Sequence, residues 1–168
     1  MSPAHLTPTL AGSERDNDGR LVKLIFESTP PLQAPDANPW LVAVDSSDNA
    51  LRAVSHIAGQ AAGMNVCALH LVHVQSWLSR EAAEAELAHR ALGATARARA
   101  TLDAKGLPWC LHVAMGDPAE GILKQAEQLH AVGIVIGSRG LNTVEGLLFG
   151  SVAYKVMHLS RLPLMVVP

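Results

Sequence analysis

From residue 40 onward the chain alternates short apolar runs with longer segments whose apolar residues recur every three or four positions. The runs are Leu41 to Val44, about Val66 to Val74, Trp109 to Met115, Val132 to Ile136 and Leu164 to Val167. Such β-branched runs, without polar alternation, suit strands buried on both faces of a sheet. Between the first two, Leu51, Val54, Ile57, Ala58 and Ala61 keep helical spacing after Asp48, the expected N-cap, and before Gly63 as terminator. An Ala/Glu/Arg-rich segment over 80–104 favours a long helix. Asp117-Pro118-Ala119-Glu120 carries a capping Asp, a Pro at the first helical position and a Glu three residues after the cap, so a helix is predicted from there to about His130. A last helix is expected over 151–159. This rhythm predicts βαβ units with right-handed crossovers. The fold class is α/β, an open doubly wound parallel sheet of five strands with helices on both faces.

The first 38 residues lack the rhythm. Pro3, Pro8, Pro30, Pro31 and Pro35 punctuate them, Pro39 stands at the boundary, and 12–19 is a polar stretch. A flexible N-terminal extension over 1–38 is expected, followed by one domain over 39–168. The exception is Leu21-Val22-Lys23-Leu24-Ile25-Phe26, whose β-branched and aromatic content suits an edge or docking strand.

At 168 residues the chain can bury a sizeable core without disulfides or metals. The net charge of -2, with no basic cluster, argues against a nucleic-acid partner. The beginning of the sequence lacks a charged and then apolar leader pattern, and no apolar stretch approaches the roughly 20 residues of a bilayer span. Cys67 and Cys110 sit in apolar runs outside any CxxC spacing and read as core thiols. A cytoplasmic protein that does not engage a membrane is therefore expected. His70 and His73 alternate across one strand and so face opposite ways, which removes them as a metal pair, and no HExxH, Walker A lysine or GxSxG elbow appears. No metal ligand and no catalytic residue is assigned.

One segment carries chemistry. Gly137-Ser138-Arg139-Gly140 follows the Val132 to Ile136 strand, and after nine residues Gly150-Ser151 opens a helical run. Glycines let main-chain N–H groups approach an anion closely, and a helix start favours negative charge, so the segment reads as a phosphate cradle.

The spacing Gly-x-x-Gly, nine residues, Gly-Ser resembles the ATP-binding signature of the universal stress protein family, with matches at Gly137, Gly140, Gly150 and Ser151. Residues 40–47 resemble that family's first strand and its acidic end, 69–74 its second strand and 163–168 its last. The resemblance implies strand order 3-2-1-4-5, with a nucleotide lying across the crevice between strands one and four. Asp45 would then face base and sugar, unless it only caps the turn with Ser46 and Ser47. Val74 would line the adenine pocket or simply fill the core, with Ala43, Val44 and Ile136 as further wall. Gly137, Gly140, Gly150, Ser151 and the amide of Val152 would meet the phosphates, and Arg139 would pair with their oxygens unless it is only a surface side chain. Lys155 shares a helix face with Ser151, while Asn142, Thr143 and Glu145 lie in the intervening loop.

The implied ligand is ATP, or ADP or AMP, accompanied by Mg2+. The implied function is that of an adenine-nucleotide-binding sensor or regulator in stress response, with at most weak ATP hydrolysis. The alternative is a dimeric interaction module whose nucleotide site is vestigial. A receiver or an adenylating ligase shares the general fold class, but their signature residues are missing. The resemblance also implies a homodimer, for which the terminal strand 164–167, apolar and expected at a sheet edge, gives a physical motive.

Overall fold

A computed structural model describes residues 7–64, 67–140 and 145–168. Its elements in chain order are β1 (Thr9–Arg15), β2 (Leu21–Glu27), β3 (Pro39–Ala43), α1 (Asp48–Ala61), β4 (Ala68–Gln75), α2 (Arg80–Ala104), β5 (Trp109–Met115), α3 (Pro118–Gln128), β6 (Gly133–Gly137), α4 (Ser151–Leu159) and β7 (Leu164–Val167). One sheet holds all seven strands in the order β1-β2-β5-β4-β3-β6-β7. Strands β3 to β7 are parallel, whereas β2 lies antiparallel to β5 and β1 antiparallel to β2. The all-parallel sheet of five strands expected from the sequence is thus corrected to a mixed sheet of seven.

The reason lies in the N-terminal segment. Leu21, Leu24 and Phe26 turn into the core formed under α1 and α2, and from Leu24 onward burial alternates as in a half-buried strand. Strand β1, by contrast, buries almost nothing. Its residues are exposed apart from Gly12, and β2 holds it through main-chain pairing from Thr9↔Glu27 to Arg15↔Leu21. A strand that buries no side chains leaves no hydrophobic period to read. The connecting turn is fixed by Asp16, whose carboxylate accepts from the amides of Asp18 and Arg20 at 3.0 and 2.9 Å, with Gly19 at φ 78°. Arg15 pairs with Glu84 of α2, and Arg20 lies 5.0 Å over the Trp77 ring.

The helices start where short polar side chains cap them. Ser47, one residue before the expected Asp48, accepts from Ala50 N at 3.1 Å; Ser79 accepts from Ala82 N at 3.1 Å. Asp117 accepts from Glu120 N at 3.0 Å, and Pro118 occupies the first turn of α3 as the sequence predicts. That helix stops two residues short of His130, which adopts φ 50°. Helix α2 spans the 80–104 segment. The start expected for the second strand, Val66, lies outside the described residues.

Two apolar layers result. Helices α1 and α2 cover Val42, Leu69, Leu71, Leu111 and Val113, while α3 and α4 cover Leu41, Val72, Ile134 and Ile136 on the other face. Around β3 and β6 the sheet is therefore apolar on both faces. Among the described residues no helix is long and apolar enough to cross a membrane.

Candidate functional site

At the C-terminal ends of β3 and β6 the chain leaves toward helices on opposite faces, α1 and α4, and a crevice opens between the two exits. It has a volume of about 280 Å³. Asp45, Val74, Gly137, Arg139, Gly140, Ser151 and Val152 all line it, and so do Ala43, Val44 and Ile136. Residues separated by about a hundred positions thus meet in one place. A Cβ placed on Gly140 would lie 3.2 Å from Asp45 Oδ2, and one on Gly137 would lie 2.8 Å from the Asn49 main chain. Any side chain at 137 would collide with the first turn of α1, so a glycine is required there for α1 and β6 to close on each other.

The Asp45 carboxylate already holds part of its own turn. Its Oδ1 accepts from the Ser47 amide at 2.9 Å and from the Ser47 hydroxyl, while Oδ2 lies on the Gly140 side. The side chain therefore fixes the turn that caps α1 and still turns one oxygen toward the second loop. His73, behind Val74, points its Nδ1 at the Val44 carbonyl oxygen, 2.9 Å away, and its Nε2 is buried without a partner among the described residues. Since a carbonyl only accepts, Nδ1 carries the proton and Nε2 is an acceptor.

Gly150 stands apart from the other glycines. It is the N-cap of α4 but does not line the crevice, and its N–H donates to the Ser138 carbonyl at 2.7 Å. Ser138 N in turn donates to Val167 O at 2.8 Å, so the loop is laced to both α4 and β7. Gly150 has no side chain to cap α4, and the first-turn amides of Ser151 and Val152, which line the crevice, have no intrahelical acceptor. The N-terminal end of α4 therefore presents a partial positive charge to the cavity. Arg139 is exposed at its mouth.

Lys155, one turn beyond Ser151, does not line the crevice. It pairs with Asp117 at 3.1 Å and lies 3.6 Å from Glu120, tying α4 to the start of α3. The Glu120 amide, and then the Lys155 ammonium, hold the Asp117 carboxyl below its ordinary range. Glu145 is exposed and outside the lining, and Asn142 and Thr143 lie outside the described residues.

Sequence reasoning did not place His73, Gln75, Ser76, Pro118 and Ile122 in this wall. Pro118 and Ile122 belong to α3, which the capping motif located, but only the β4-to-β5 adjacency carries α3 over the crevice. His73 had a signal, its position directly before Val74 on a strand whose end borders the cavity.

A model of the universal stress protein family matches residues 38–168. The universal stress protein YxiE of Bacillus subtilis is 31% identical over 146 residues, covering 77% of this chain and 98% of that protein. The stress response protein NhaX of the same organism is 38% identical over 72 residues, so the match spans 43% of each chain. Among solved structures, the universal stress protein from Archaeoglobus fulgidus in complex with dAMP is similar, with TM-score 0.62 and 26% identity over 77% of this chain and 97% of that one.

Proposed function

The chain belongs to the universal stress protein family, and we propose from that premise that its crevice binds an adenine nucleotide, ATP foremost, and that occupancy is the signal the protein reports in a stress response. The observation that carries this reading is the approach of Gly140 to Asp45 Oδ2 beside the uncapped start of α4. An acceptor for ribose or adenine donors and a set of anion-attracting amides then border a single cavity. The relative solved with dAMP holds an adenine nucleotide.

In this reading Asp45 Oδ2 accepts hydrogen bonds from the nucleoside, each contributing about 1.5–3 kcal/mol when charge-assisted. Val74, Ile136 and Ala43 flank the base. The amides of Ser151 and Val152 and the close approach at Gly137 and Gly140 receive the phosphates, with the Arg139 guanidinium beside them. Gly150 acts indirectly, its amide being spent on Ser138. Asp45 is the one carboxylate among the residues lining the crevice. Mg2+ would therefore arrive on the phosphates, keeping most of its water. The same reading joins two copies along β7, whose four apolar residues are half-buried at the sheet edge.

Calorimetry of the purified chain with ATP, ADP and AMP, with and without Mg2+, tests the reading. One nucleotide per chain is expected, on a particle whose light-scattering mass is that of a dimer. Ser151→Asp puts a carboxylate among the phosphates while leaving an exposed first-turn position that favours acidic residues. It should weaken ATP at least tenfold, about 1.4 kcal/mol, with an unchanged melting temperature. Absence of nucleotide binding to the parent chain, or equal affinity in the variant, overturns the reading.

A further inference from the structure

Away from the crevice, β4 and β5 assemble three side chains of metal-binding type. The parallel register sets His70 opposite Cys110, and side chains two apart share a face, so His70, Cys110 and His112 project together on the α3 side of the sheet. One nitrogen from each imidazole and the Cys110 sulfur all lie within 4.8 Å of one another. His70 and His112 are only 2% and 5% exposed, and Cys110 is partly accessible.

The hydrogen bonds pre-set this cluster. His70 Nε2 lies 2.8 Å from the Pro35 carbonyl oxygen and its Nδ1 lies 2.9 Å from His112 Nε2. Because the carbonyl can only accept, the His70 proton resides on Nε2 and an Nδ1 lone pair faces the cluster. That is the arrangement in which a backbone carbonyl orients one imidazole nitrogen and leaves the other to a metal. His112 Nδ1 is buried without a partner among the described residues.

We propose that His70, Cys110 and His112 form a binding site for one zinc-class divalent ion, with a water completing the fourth position. The donor set is two nitrogens and one sulfur with no carboxylate, which suits zinc and excludes the harder Mg2+ and Ca2+. On binding, the Cys110 S–H bond breaks, its proton leaves to solvent and a sulfur–metal bond forms. Each imidazole stays neutral: His70 keeps its proton on Nε2, and the His112 proton, which Nε2 donates to His70 Nδ1 before binding, moves to His112 Nδ1. Metal–nitrogen bonds of about 2.0–2.1 Å in tetrahedral geometry place two ligand nitrogens farther apart than the present 2.9 Å. A shift of a few tenths of an ångström between the rings accommodates the ion.

The site is independent of the nucleotide crevice, and its test needs no nucleotide. Full-length protein stripped with a chelator is titrated with Co2+, then with Zn2+ against a chromophoric chelator. One ion per chain is expected, with a near-ultraviolet thiolate-to-cobalt band and strong visible bands of tetrahedral cobalt, both erased by one equivalent of Zn2+. Cys110→Ser should abolish the thiolate band, and His112→Gln should weaken Zn2+ at least a hundredfold, while Cys67→Ser and His56→Gln leave both signals in place. The proposal falls if the parent chain gives no thiolate band, if Cys110→Ser retains it, or if Zn2+ affinity follows His56 instead. The parent spectrum decides even where a cluster variant fails to fold.

Discussion

Single atoms decide much of this structure. Gly121 sits inside α3, where an alanine would ordinarily stabilise by about 1 kcal/mol, yet a Cβ there would stand 2.7 Å from Val74 Cγ2. The helix crosses β4 at a point where the strand's valine fills the space a side chain would need. Gly121→Ala is therefore expected to destabilise by about 1–3 kcal/mol through overpacking. In a Val74→Ala background the same change should turn neutral or favourable. Urea denaturation of the four species of this cycle measures the coupling, and additive effects would mean the two residues do not press on each other. Gly133 answers a similar constraint, since a Cβ there would fall 2.5 Å from the Trp40 ring. Gly137 and Gly140 of the crevice were legible from spacing, but Gly121 and Gly133 were not, because what excludes a side chain there is a partner distant in sequence.

Among the elements, those with strong local chemistry were the most legible. Helix α3 announces itself through Asp117, Pro118 and Glu120, and its cap does double duty by holding Lys155 of α4. Asp117→Ala should cost about 1 kcal/mol as a lost N-cap, whereas Asp117→Asn keeps the capping oxygen and should cost less. The acid form carries the pH dependence. With the folded-state carboxyl held below the ordinary value of 3.8, the unfolded chain takes up a proton that the folded chain refuses. The stabilisation is thus complete above the ordinary value and is lost as pH falls through the lower folded-state one. Urea midpoints taken between pH 6 and pH 3 should drop more for the parent than for Asp117→Asn, and parallel curves would contradict the assignment. Strand β1 is the opposite case, formed of Thr9, Ser13, Glu14 and other exposed residues that only β2 makes into a strand.

At the scale of the molecule, the parallel order was accessible through resemblance and not through periodicity, since no local pattern says which strands lie side by side. The same limit hid the His70, Cys110 and His112 cluster, which exists only because β4 and β5 are neighbours in register. It also hid the crevice wall contributed by α3. Pairing of β2 with β5 brings the N-terminal segment into the main core, where Phe26 is 5% exposed. Phe26→Ala should therefore cost about 3–5 kcal/mol, while Leu10→Ala, at a side chain 56% exposed, should stay within about 0.5 kcal/mol. Thermal melts of the two variants separate a structural segment from an appended tail, which would tolerate both changes equally.

The two rims of the sheet are unlike. On one side β7 ends the ladder with Leu164 to Val167. On the other, β1 carries Glu14 and Arg15 and slips register twice, between Leu10 and Gly12 and between Glu14 and Arg15. Irregular, charged borders resist continuation by a further strand. Were a second copy to pair along β7, only the irregular border of β1 would stay open on either molecule, and the hairpin at the far side would oppose growth into fibres.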